Sequence, residues 1–133
     1  LYAIGIDAGT KTGLAVWDVK AKRYDMVLTV PIHRAWEIVL EYKLKYDNIL
    51  VVCEDARQVK FKTSVEKAQG AGSVKRDAAI WEGICVDKEI AYEMRRPNKA
   101  FTKWSAQQFA TATGYPGRTD NHGRDAGMLV YDF

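Results

Sequence analysis

Three acidic residues stand where the chain changes direction. Asp7 follows the apolar run Tyr2 to Ile6 and precedes a glycine-rich turn, Glu54 closes the run Ile49 to Cys53, and Asp125 lies in Asp120-Asn121-His122-Gly123-Arg124-Asp125-Ala126-Gly127. Carboxylates packed together are unfavourable without a cation among them, so such a cluster and a bound metal imply each other. Oxygen ligands in octahedral array suit magnesium. Two such ions about 3.5 to 4 Å apart can activate an attacking water and stabilise the leaving oxygen of a phosphodiester. The chemistry these residues could carry is metal-dependent phosphodiester hydrolysis.

Each acid also has a plainer reading. Asp7 shares parity with Ala3 and Gly5 rather than with Ile4 and Ile6, which puts a charge at the rim of a sheet. Glu54 and Asp55 are consecutive on a strand and must point to opposite faces, so one of them can join Asp7, and the run does not say which. Asp120 is a candidate helix N-cap, and Asp125 is an ordinary acid near a helix start. His122 lies three residues before Asp125, on the same helix face.

The elements that must position these residues follow from hydrophobic periodicity. Tyr2 to Ile6, Leu14 to Trp17 and Tyr24 to Val30 read as strands of an antiparallel meander, the first two joined by Gly9-Thr10-Lys11-Thr12-Gly13 and the third ending at Pro31. Ala35, Ile38, Val39, Tyr42 and Tyr46 predict an amphipathic helix over residues 32 to 46. The β-branched run Ile49 to Cys53 predicts a central strand covered on both faces. After a basic loop, residues 64 to 89 read as one long helix with two stripes. Val65, Ala68, Gly72, Ala79, Gly83 and Val86 form one, and Val74, Ala78, Trp81 and Cys85 the other; one could face the sheet and the other a partner. Gly70, Gly72 and Gly83 each cost such a helix about 1 kcal/mol relative to alanine, so close backbone packing is expected there. A strand over residues 90 to 94, a helix from Thr102 to Thr113 stopped by Gly114, and a last helix from Asp120 to Tyr131 complete the order βββαβαβαα.

The 133 residues, 47% hydrophobic and 28% charged, fit a single domain spanning 1–133 and can bury a real core. No stretch is apolar enough to cross a bilayer and no leader is visible, so a soluble, cytoplasmic chain is expected; the opening on a strand without Met suits a trimmed start. Cys53 and Cys85 sit in apolar runs and read as reduced core thiols rather than a disulfide or zinc site. Net charge is +3, and it is unevenly spread: residues 56 to 103 hold eleven Lys or Arg against six Asp or Glu. A basic middle is the footprint of phosphate-backbone binding, or else a solvated helix face.

At this point the motifs carry a resemblance. Ile4-Gly5-Ile6-Asp7-Ala8-Gly9-Thr10-Lys11-Thr12-Gly13, Val51-Val52-Cys53-Glu54-Asp55, Gln69-Gly70-Ala71-Gly72 and His122-Gly123-Arg124-Asp125-Ala126 together resemble the RuvC family of Holliday-junction resolvases in its shorter, phage-like form. The resemblance spans nearly the whole chain in the right order. It implies an α/β, RNase H-like fold: a mixed five-stranded sheet, three strands an antiparallel meander and the rest parallel, flanked by helices. It implies a homodimer through the helix around residues 64–89, and magnesium-dependent paired nicking of four-way DNA junctions, with manganese able to substitute. Asp7, Glu54 and Asp125 would be the metal ligands and His122 a fourth member, leaving Asp55 outside the site. His122 would bind metal, position water or contact phosphate. Phe61, between Lys60 and Lys62, resembles the family's aromatic wedge; its plainer reading is a loop residue covering the core. Lys99 and Lys103 resemble basic residues that contact the scissile phosphate, while Arg95 and Arg96 read as a solvated strand end. A phage-encoded chain would act in the host cytoplasm.

Other readings start from the same residues. Asp7-Ala8-Gly9-Thr10 also resembles the phosphate-binding turn of actin-like ATPases, which need two such domains around a nucleotide. A related nuclease acting on RNA, flaps or other branched DNA would keep the same site. A catalytically idle DNA-binding module would keep the basic middle and lose an acid, whereas all three acids are present.

Overall fold

The computed structural model describes residues 1–58, 65–98 and 104–133, with side chains of the long helix described from residue 72 onward. Five strands, β1 (Tyr2–Asp7), β2 (Lys11–Asp18), β3 (Arg23–Pro31), β4 (Ile49–Glu54) and β5 (Ala91–Arg95), form one sheet in the order β3-β2-β1-β4-β5. The β1-β2 and β2-β3 pairs are antiparallel, and β1-β4 and β4-β5 are parallel. The expected meander and parallel strands are therefore both present. β4 is an interior strand as its apolar run requires, with β1 at the centre of the sheet.

Strand parity divides the core. Ile4, Ile6, Leu14, Val16, Val51 and Cys53 face one side, where α1 (Ile32–Tyr46) and α2 (Val65–Asp87) cover them with Ile38, Val39, Trp81 and Cys85. Ala3, Ala15, Trp17 and Val52 face the other, against Phe109 of α3 (Ala106–Thr113) and Ala126 and Val130 of α4 (Asn121–Val130). Full burial of each such aliphatic side chain contributes about 1.5–3 kcal/mol, so both faces are anchored. Cys53 and Cys85 are buried free thiols.

Two expectations are corrected. The helix expected from Thr102 starts at Ala106, because Ser105 and Gln108 form a capping box: Gln108 N donates to Ser105 Oγ at 3.1 Å and Ser105 N to Gln108 Oε1 at 2.9 Å. The close packing expected at the α2 glycines is not made within the chain where they are described: a β-carbon at Gly72 or Gly83 would meet nothing within 4 Å. The stripe of Ala78, Trp81 and Cys85 faces the sheet, while Val74 leaves that stripe for solvent and Val86 and Ile80 are exposed. Among the described residues no helix is long and apolar enough to cross a membrane.

Candidate metal centre

Helix α4 lies directly on the backbone of β1 and β2, and glycines make that approach possible. A β-carbon on Gly5 would collide with the carbonyl of Ala126, and one on Gly13 with the carbonyl of His122. Gly13 pairs with Asp7 in the β1-β2 register, so the start of α4 comes down beside the last residue of β1. That start is fixed by Asp120, the N-cap: its carboxylate accepts from His122 N at 3.1 Å and Gly123 N at 3.3 Å and is also bonded by the Thr29 hydroxyl of β3. Asp120 thus fills the capping role its position suggested.

The consequence is a contact between residues far apart in sequence. His122 Nδ1 lies 3.0 Å from Asp7 Oδ2, with Asp7 mostly covered and the imidazole half-exposed. Burial raises the Asp7 carboxyl above its usual range; the His122 hydrogen bond opposes this, and the charges of Asp125 and Asp120 add to it. Glu54, at the end of β4, is pushed up to about 7, first by burial and then by Asp7 and Asp125. Three carboxylates from β1, β4 and α4 therefore share one electrostatic neighbourhood.

Glu54 and Asp125 line a cavity of about 210 Å³ together with Arg95, Arg96, Asn98 and the apolar Met128 and Leu129. Arg95 and Arg96, expected at a solvated strand end, belong to this cavity wall. Asp55 points away: it is buried, its carboxylate accepts from Arg57 Nε at 2.7 Å and Nη2 at 3.0 Å, and Arg57 reaches on to Glu82 of α2 at 3.0 Å. Arg57 holds the Asp55 carboxyl below its usual range. The pair ties the end of β4 to α2.

A second arginine supports the site from within. Arg124 is buried, and its guanidinium donates to the Trp104 carbonyl at 2.8 Å, the Thr119 carbonyl at 2.8 Å and Asn121 Oδ1 at 2.7 Å. It fastens the segment before α3 and the turn before α4 to the helix that carries His122 and Asp125. The close-approach glycines and Arg124 were not read as site-building from the sequence; the glycine parity, Gly5 in step with Asp7, was the signal that could have found the former.

As a donor set, Asp7, Glu54 and Asp125 fit a hard divalent cation, because all are oxygen ligands and their mutual repulsion is what such an ion offsets. Among the described residues no three His, Cys, Asp or Glu side chains stand close enough to hold an ion as they are placed. Asp7 is turned to His122, and Glu54 and Asp125 face the cavity. Phe61, Lys60, Lys62, Lys99 and Lys103 lie outside the described residues.

The sheet order, the flanking helices and the acids ending β1 and β4 define an RNase H-like fold. Two solved structures that it resembles are of RuvC. Thermus thermophilus RuvC in complex with Holliday junction substrate matches with a TM-score of 0.65 at 18% identity, over 99% of this chain and 92% of that one. The Thermus thermophilus RuvC structure matches with a TM-score of 0.62 at 18% identity over the same shares of the two chains. No protein-family model and no curated protein matches the sequence.

Proposed function

We propose that this chain is a metal-dependent endonuclease that resolves four-way DNA junctions by paired symmetric nicks. The observation that carries the reading is that Glu54, at the end of β4, and Asp125 of α4 line one cavity while Asp7, at the end of β1, contacts His122 of the same helix, in a RuvC-type fold. Asp7, Glu54 and Asp125 would hold magnesium, with manganese able to replace it. Magnesium bound there supplies positive charge against the phosphodiester and favours deprotonation of an attacking water. His122 orients the Asp7 carboxylate through the 3.0 Å contact, and α4 holds Asp125 at the cavity mouth. On this reading Phe61 stacks on a base near the junction centre, Lys60 and Lys62 hold flanking phosphates, and Lys99 and Lys103 reach the scissile phosphate.

The dimer expected of such an enzyme would use the outer face of α2. Gly72, Ile80, Gly83 and Val86 are exposed there, and the two glycines leave room for close helix approach. Two sites on a twofold axis match two equivalent strands of a junction. The protein would act in the cytoplasm, of the host if it is phage-encoded. The test is incubation of purified protein with four-way junction, Y-fork, flap, linear duplex and RNA-DNA hybrid, with and without magnesium. Symmetric nicks confined to the four-way junction and dependent on metal support the proposal. Cleavage of flaps or hybrids instead points to a related nuclease, and binding without cleavage to an idle DNA-binding module.

A further inference from the structure

Strand β5 ends in two neighbouring arginines with different surroundings. Arg95 donates through Nε to Glu93 at 3.0 Å and through Nη1 to the Leu129 carbonyl at 3.0 Å, and its guanidinium lies 4.8 Å from the centre of the Phe133 ring. These contacts commit it to holding β5 against the end of α4. Arg96 is exposed, lines the same cavity as Glu54 and Asp125, and among the described residues makes no hydrogen bond or ion pair. A guanidinium this near two carboxylates that pairs with neither is available to an incoming anion.

The cavity walls say which anion. Glu54 and Asp125 supply carboxylates, Met128 and Leu129 apolar surface, and Arg96 a guanidinium to the same lining. An apolar wall lowers the local dielectric and strengthens a charge-assisted hydrogen bond made inside it. Arginine's fork of donors matches two oxygens of one phosphate. We propose that Arg96 binds the non-bridging oxygens of a phosphodiester seated in the cavity that Glu54 and Asp125 also line, while Arg95 is a positioning residue that fixes the strand end. The inference rests on the nucleic-acid reading above and adds a residue to it.

The first arm of the test uses no metal and no turnover. Binding of a fluorescent four-way junction in EDTA is followed by anisotropy across a sodium chloride series for wild type, Arg96→Gln and Arg96→Lys, with thermal midpoints recorded for each. Arg96→Gln is expected to weaken binding several-fold and to make the slope of log K against log salt shallower by about one, while Arg96→Lys keeps the slope. The second arm measures nicking in magnesium at saturating junction, where Arg96→Gln lowers kcat about 10- to 100-fold and Arg96→Lys recovers part of it. A methylphosphonate at the scissile position slows wild type by a larger factor than it slows Arg96→Gln, the difference being the arginine contact. An unchanged salt slope and an unchanged kcat in Arg96→Gln overturn the inference. If wild type nicks no branched substrate the functional reading fails, and the binding arm still decides whether Arg96 contacts phosphate.

Discussion

His122 Nδ1 and Asp7 Oδ2 lie 3.0 Å apart although 115 positions separate them in the chain. The imidazole is half-exposed and makes little of the core, so its loss should be felt by Asp7 rather than by the fold. His122→Ala is expected to leave the thermal midpoint within the range of a surface substitution, a shift of about 0.5 kcal/mol or less, and to lower magnesium-dependent nicking at least about 10-fold. Differential scanning fluorimetry beside a nicking assay checks both halves.

The contact depends on α4 resting on bare backbone. Gly5→Ala drives a methyl into the carbonyl of Ala126 and must displace the helix, costing about 2–3 kcal/mol in urea denaturation and scattering the acids. Gly83→Ala meets open space on α2 and should raise monomer stability by up to about 1 kcal/mol. If that face forms the dimer, the same change weakens self-association, which sedimentation velocity reads directly.

The fold was largely legible because its signals are local and redundant. Period-2 runs located the three meander strands, the continuous β-branched run Ile49 to Cys53 located β4, and Ala35, Ile38 and Val39 announced α1. The start of α3 falls at Ala106 rather than Thr102 because Ser105 and Gln108 form a capping box, a start signal that the apolar pattern does not carry. Asp7 and Glu54 could be singled out because each ends a strand, but strand parity left Glu54 and Asp55 equivalent. Their distinction lies in their contacts: Arg57, itself held by Glu82 of α2, claims Asp55, and α4 brings Asp125 to Glu54's side. Arg95 and Arg96 could not be told from a solvated strand end, since their role depends on α4 lying beside β5.

Breaking the Asp55–Arg57 pair separates structure from chemistry. Arg57→Met leaves a buried carboxylate without its partner and is expected to destabilise the fold by about 3 kcal/mol. The Asp55 carboxyl is held below its usual range. Its contribution is therefore fully present above the unfolded value of about 3.9 and is lost as pH falls through the lower folded value. Acid denaturation of wild type and Arg57→Met should converge there, with metal affinity at neutral pH unchanged.

Glu54 gives the opposite pH dependence. Its carboxyl is pushed up to about 7, by burial first and by Asp7 and Asp125 after, so the folded protein holds this proton more tightly than the unfolded chain does. The stability this lends is fully present below the unfolded value of about 4.3 and is lost as pH rises through the folded one. In EDTA the urea midpoint should fall between about pH 4.3 and about pH 7 and level off above, and Glu54→Gln should flatten that fall. Magnesium should stabilise wild type more at the higher pH, because the ligands must be deprotonated to bind.

The central claim, that Asp7, Glu54, Asp125 and His122 form one metal-dependent nuclease centre, is tested most directly by Asp7→Asn on a four-way junction. The substitution removes a carboxylate charge and little packing. With magnesium present, the variant is expected to bind the junction as wild type does, to keep its thermal midpoint, and to give no nicks over a time course in which wild type cleaves fully. Nicking by Asp7→Asn at the wild-type rate would contradict the account.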